Sequence, residues 1–131
     1  MSEVRTDFIV IDDDPVNNRI CSIIIERTFP GRKALCFTEP EEALDFISEN
    51  YKDTSERQAV LLLDINMPVL NGWDVLERIE HFPGHVRDNI AIHILSSSVD
   101  VYDKRRAGEN VLVRGYIEKP LTIEHVRNLV R

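Results

Sequence analysis

Short apolar runs alternate with helix-patterned segments along the whole chain, and this alternation restricts the fold more than any single residue. Asp7 to Ile11 and Ala59 to Leu63 are rich in aliphatic or β-branched residues, as expected of strands buried on both faces. Ala34 to Phe37, Ile90 to Leu95 and Val111 to Ile117 are weaker runs of the same kind. Strands that alternate with helices require a parallel sheet covered on both sides, because each right-handed crossover lays its helix on one face. At this size the natural form is a doubly wound α/β sheet of five parallel strands in the order 2-1-3-4-5.

The helical segments carry start signals. Asp14 before Pro15 reads as an N-cap with proline at the first helical position, and Ile20, Ile23 and Ile24 follow at helical spacing. Thr38 with Glu41 reads as a capping box ahead of Ala43, Leu44 and Ile47. Trp73, Leu76 and Ile79 mark a third helix after the turn Asn71-Gly72, Val99 to Glu109 a polar fourth, and Ile123, Val126 and Val130 a last one. Glu49 to Gln58 and His81 to Asn89 read as polar connections, the second broken by Pro83-Gly84.

The 131 residues suit one domain, and 43% hydrophobic with 30% charged residues is too apolar for disorder. Sixteen basic against 23 acidic residues, a net charge of -7, argue against nucleic acid as a direct ligand. No segment has the pattern of a signal peptide or the length of a membrane span, and Cys21 and Cys36, without metal-ligand spacing, read as buried free thiols. A cytoplasmic location is the expectation.

Three of the apolar runs end in charge: Ile11-Asp12-Asp13, Leu63-Asp64 and Ile117-Glu118-Lys119-Pro120. In a parallel sheet these ends converge on one edge, where ligands of open α/β sheets bind. Asp14 is taken up by capping, which leaves Asp12, Asp13 and Asp64 around one crevice. Bringing like charges to about 4 Å costs on the order of 4 kcal/mol per pair at an effective dielectric near 20. A proton or a cation must compensate, and a few hard oxygen ligands suit Mg2+. The EF-hand calcium pattern is absent. Lys119 can pair with Asp64 or with a phosphoryl group on it, and Ser96, ending the fourth run, can add a hydroxyl hydrogen bond.

Taken in order, Val10-Ile11-Asp12-Asp13-Asp14-Pro15, Leu62-Leu63-Asp64-Ile65-Asn66-Met67-Pro68 with Asn71-Gly72, Leu95-Ser96 and Gly115-Tyr116-Ile117-Glu118-Lys119-Pro120-Leu121 resemble the receiver domain of two-component response regulators. The resemblance runs from Phe8 to Leu129 and implies a flavodoxin-like (βα)5 fold, with residues 1–131 forming a single receiver without an output domain. It implies Asp64 as phospho-acceptor, Asp12 and Asp13 as Mg2+ ligands together with Asp64 and the backbone carbonyl of Asn66, and Lys119 as the phosphoryl contact. Ser96 takes the place of the switch hydroxyl and Tyr116 that of the switch aromatic. The donor would be a histidine kinase or a histidine phosphotransfer protein. A downstream protein would be bound through the fourth helix, last strand and last helix. The domain would catalyse only its own phosphorylation and dephosphorylation.

Two rivals remain at this level. Asp12-Asp13-Asp14-Pro15-Val16 also fits the opening motif of haloacid-dehalogenase-like phosphatases, although the tail after Pro120 is too short for their further metal ligands and Asp64 would be idle. The other rival is a receiver-like binding module that is never phosphorylated.

Overall fold

The two most apolar runs of the chain lie side by side at the centre of the molecule. The structure, a computed structural model, describes residues 5–52 and 57–130. Its strands are β1 (Arg5–Ile11), β2 (Ala34–Phe37), β3 (Arg57–Leu63), β4 (Ile90–Ser96) and β5 (Val113–Glu118). Between and after them run α1 (Pro15–Thr28), α2 (Pro40–Asn50), α3 (Gly72–Glu80), α4 (Gly84–Arg87), α5 (Val101–Glu109) and α6 (Ile123–Leu129). All strand pairs are parallel and the sheet order is β2-β1-β3-β4-β5, as the alternation predicts. The fold is flavodoxin-like.

Side chains that alternate along the strands separate into two cores. Ile9, Ile11, Leu61, Leu63, Ile92 and Ile94 meet Ala43, Leu44 and Ile47 of α2, Val75, Leu76 and Ile79 of α3 and Ala107 of α5. On the other face Phe8, Val10, Val60, Leu62 and Leu95 meet Cys21 and Ile25 of α1 and Val126 of α6.

Local chemistry corrects several sequence expectations. In α1 the Asp14 side chain accepts from the Val16 N–H and Pro15 opens the helix as expected, yet Ile20 and Ile23 point outward at 40% and 41% exposure. The buried stripe is Asn17, Asn18, Cys21 and Ile25, because the two amides bond to Asp12 and thereby set the rotation of the helix. For α2 the Thr38–Glu41 capping box does not form. Pro40 starts the helix with Glu39 as N-cap, and the Glu41 carboxylate is instead held by Arg78 of α3 at 2.8 and 3.2 Å.

Within the expected connection from 81 to 89, Pro83 leads into the one-turn α4, whose Val86 is buried, so the helix counted fourth in the sequence is α5. The connection expected over Glu49 to Gln58 is shorter than its polarity suggests. Asn50 belongs to α2, Tyr51 is fully buried, Arg57 opens β3, and residues 53–56 lie outside the described ones. Strand β5 begins at Val113, after a turn in which the Asn110 side chain accepts from the Leu112 N–H and Val111 is left exposed. Cys36 is exposed on the edge strand β2, so only Cys21 is a buried thiol; both are free. Among the described residues no helix is long and apolar enough to cross a membrane.

Candidate functional site

Strands β1 and β3 lie next to each other at the point where the chain reverses its direction of winding, and both end in an aspartate. Their register pairs Ile11 with Leu63, so Asp12 and Asp64 emerge together at the C-terminal edge. Hydrogen bonds from the Asp64 N–H to the Ile11 carbonyl (3.0 Å) and from the Asp12 N–H to the Phe37 carbonyl (3.1 Å) carry the ladder one residue further and fix both backbones. Ser96 pairs with Glu118, and the Lys119 N–H donates to the Ser96 carbonyl at 2.9 Å, which brings Lys119 to the same edge.

Asp12, Asp13 and Asp64 each offer a carboxylate oxygen within 4.8 Å of the others, with Asp12 and Asp64 buried and Asp13 exposed. Lys119 Nζ lies 2.6 Å from Asp12 Oδ2 and 3.6 Å from Asp64 Oδ2. Asp64 Oδ1 accepts from the Asn66 N–H at 3.1 Å. Burial pushes the Asp64 carboxyl up to about 6; the Asn66 N–H pulls it down, the Asp12 charge pushes it up, Lys119 opposes and Asp13 adds to the rise. Burial lowers Lys119, but the hydrogen bond to Asp12 and the Asp64 charge outweigh it and raise the ammonium above its usual range. The pocket therefore holds a reluctant anion beside a firmly charged cation.

Ser96 is fully buried, and its Oγ accepts from the Ser98 N–H (3.1 Å) and the Asn66 side-chain amide (3.4 Å). Tyr116 is half-buried, with its hydroxyl donating to the Ser98 carbonyl at 2.8 Å. All seven residues singled out from the sequence thus lie along one edge, and Asp14 is absorbed by the cap of α1.

Three residues escape the sequence reading. Asn17 donates to Asp12 Oδ2 at 2.8 Å and Asn18 to the Asp12 carbonyl at 3.0 Å, both from the inward face of α1. The signal was there: two amides stand where the helical spacing of Cys21 and Ile25 calls for apolar residues. The third is Gly72, which the sequence places in a turn without showing its packing role: a Cβ there would come within 2.5 Å of the Asp64 carbonyl oxygen and 2.6 Å of Ile65 Cα. Only glycine lets α3 start against the backbone that carries Asp64. The start itself is fixed by a capping box between Asn71 and Asp74.

Three acids and a lysine at the switch point of a 2-1-3-4-5 sheet define the class: this is the architecture of a receiver domain. The family model described as response regulator receiver domain matches residues 8–131, and the chain belongs to that family, which places it in two-component signalling. Its fold is similar to the response regulator receiver protein of Dyadobacter fermentans DSM 18053 (TM-score 0.86, 27% identity, 96% of this chain and 95% of that one). It is also similar to a two component response regulator from Cytophaga hutchinsonii (TM-score 0.84, 28% identity, 97% and 95%). Among curated proteins it is 26% identical to the sensory/regulatory protein RpfC of Xanthomonas campestris over 86% of this chain. It is 24% identical to the autoinducer 1 sensor kinase/phosphatase LuxN of Vibrio harveyi over 93% of this chain. The matched segments are 14% and 13% of those two proteins' lengths.

Proposed function

We propose that the domain accepts a phosphoryl group on the Asp64 carboxylate from a phosphohistidine, carried by a histidine kinase or a histidine phosphotransfer protein. The observation that carries this reading is the gathering of Asp12, Asp13 and Asp64 within 4.8 Å, with Lys119 reaching two of them. A carboxylate is already a nucleophile and needs no separate base. Asn66 holds one Asp64 oxygen by its N–H, and Lys119 lies on the side of the other, where charge on a transferring phosphoryl group would develop.

The donor set suits a small hard cation, being all oxygen and rich in carboxylate. Asp12, Asp13, Asp64 and the Asn66 carbonyl would hold Mg2+, which when bound supplies neutralisation of the phosphoryl oxygens. Phosphoryl oxygens on Asp64 would then draw in the Ser96 hydroxyl and release the Tyr116 hydroxyl from Ser98, a two-state change read by a downstream protein on the α5, β5 and α6 face. The name of one curated relative, the sensor kinase/phosphatase LuxN, agrees with a kinase as the donor's source. We read residues 1–131 as one receiver unit acting inside the cell, without catalysis beyond its own phosphorylation and dephosphorylation. The phosphatase alternative would need Asp12 as nucleophile and would leave Asp64 without a role, although Asp64 lies in the same cluster with Lys119 3.6 Å away.

The test is covalent and non-covalent loading. Beryllium fluoride with Mg2+ should shift the amide spectrum of the wild type, and phosphoramidate should add one phosphoryl mass at Asp64. Asp64→Asn should abolish both. Loss of neither, or labelling elsewhere, would defeat the reading.

A further inference from the structure

We propose that Asn17 is a positioning residue for Asp12: a neutral donor that holds the carboxylate in its metal-facing orientation when Lys119 gives way to the cation. The inference rests on the function proposed above and concerns one residue that the reading leaves unassigned.

Asp12 Oδ2 accepts two hydrogen bonds, from Lys119 Nζ at 2.6 Å and from Asn17 Nδ2 at 2.8 Å. Its other oxygen, Oδ1, accepts from the Asp14 N–H at 2.9 Å. The Asp14 and Asn17 donors come from the loop and helix that directly follow Asp12. The lysine arrives from the far end of the chain and is shared with Asp64. A divalent cation among these carboxylates repels the ammonium, and once Lys119 gives way Asp12 keeps only its two local donors. Without Asn17 a single N–H would remain, about which the carboxylate can turn.

The chemistry of the donor matters as much as its position. An amide fixes the carboxylate without cancelling its charge, so the full anion stays available to a divalent cation, whereas a second lysine would compete with that cation. Because a carboxylate only accepts, the amide must present its Nδ2 side here, and the same Nδ2 lies 3.7 Å from the Cys21 sulfur, a weak acceptor on its far side. Asn17 is 7% exposed on the stripe it shares with Cys21 and Ile25. A buried amide at such a position is costly unless its bonds are made, and an aliphatic side chain would serve the core better. The departure from the apolar pattern therefore has its reason in Asp12.

The experiment measures Mg2+ uptake by calorimetry on the full chain at pH 7.5, with urea unfolding in EDTA as the check that each variant is folded. Asn17→Leu keeps the branched shape with bulkier methyl groups and removes the donor. Asn17→Ala removes the donor without crowding, should leucine prevent folding. Asn18→Ala is the structural control, since it loses a bond to the Asp12 backbone carbonyl and leaves the carboxylate's partners in place. Removing a partner that orients a metal ligand weakens binding by about 10- to 100-fold. The expected result is a loss of at least about tenfold in both folded Asn17 variants and a smaller loss in Asn18→Ala. A smaller effect at Asn17, or an equal one at Asn18, overturns the proposal. No uptake by the wild type would instead defeat the function on which it rests.

Discussion

Replacing Asp64 by asparagine should make the metal-free protein more stable, although it removes the proposed reactive group. The side chain is buried between Asp12 and Asp13, and its carboxyl is shifted from 3.8 to about 6. The folded state therefore binds this proton more tightly than the unfolded chain does. Wild-type stability falls as pH rises from about 4 to about 6, and above that the full penalty is present. A shift near 2 units at about 1.4 kcal/mol each gives a penalty of about 3 kcal/mol at pH 7.5. Asparagine keeps an acceptor for the Asn66 N–H, offers an amide to its acidic neighbours and carries no charge. In EDTA at pH 7.5, urea unfolding should show Asp64→Asn stabilised by about 3 kcal/mol, a rise in Tm of about 10 °C for a domain of this size. At pH 4 the two proteins should converge. Added Mg2+ should narrow the gap by stabilising the wild type, by about 1.4 kcal/mol for each tenfold excess over Kd. A variant no more stable than wild type at pH 7.5, or a gain undiminished at pH 4, would refute the account of the pocket as strained by its own charge.

Three other perturbations test the scaffold around the pocket. Gly72→Ala forces a Cβ to 2.5 Å from the Asp64 carbonyl oxygen and should destabilise by about 3 kcal/mol, measured by denaturant titration, with Mg2+ uptake weakened in the molecules that remain folded. Asp7, at the opposite end of the sheet, accepts from the Tyr51 hydroxyl (2.8 Å) and Arg57 Nε (2.5 Å). Burial pushes its carboxyl up, but the Arg57 and Tyr51 hydrogen bonds and the Arg57 and Arg5 charges hold it below the usual carboxylate range. Its contribution is present above pH 3.8 and is lost as pH falls through the lower folded value. Asp7→Asn should cost about 2 kcal/mol at pH 7 by taking from Arg57 its carboxylate and leaving it only Asn50, with the difference from wild type shrinking in acid unfolding curves below pH 4. Lys104→Ala removes an exposed pair with Glu118 and should leave the urea midpoint almost unchanged, as expected of a solvated surface pair.

How much was legible in the sequence follows from where the information is local. The strand order was readable because strands and helices alternate strictly in a chain of this size, and the pocket because each charged residue directly follows its apolar run, so placing the strands places the charges. The rotation of α1 was not. Ile20 and Ile23 are the strongest apolar signal in that helix, yet hydrogen bonds from Asn17 and Asn18 to Asp12 turn them to solvent. Periodicity counts apolar residues and cannot weigh a buried carboxylate that needs donors. The start of α2 failed for a similar reason: Glu41 had a stronger partner in Arg78, 37 residues away, than in a cap three residues back. The Asp7, Tyr51 and Arg57 cluster also draws on residues 44 and 50 apart, and nothing in any one segment announces it.

The position of Lys119 yields a last prediction. Its ammonium sits closer to Asp12, at 2.6 Å, than to Asp64, at 3.6 Å, so in the metal-free pocket it already fills the role of a cation among the acids. A divalent ion held by the same carboxylates must compete with it. At an effective dielectric near 20, unit charges about 4 Å apart interact by about 4 kcal/mol, so the lysine both stabilises the empty pocket and opposes its filling. Lys119→Met keeps most of the side-chain volume and removes the charge. It should lower the stability measured in EDTA and, at pH 8, where Asp64 is ionised, tighten Mg2+ binding by about tenfold, about 1.4 kcal/mol of that repulsion. Phosphoramidate labelling at Asp64 should nevertheless fall, because the charge meant for the phosphoryl group is gone. Tighter metal binding with poorer labelling separates the two roles of one ammonium. If metal affinity were unchanged or weaker in Lys119→Met, the lysine would not be a stand-in for the metal.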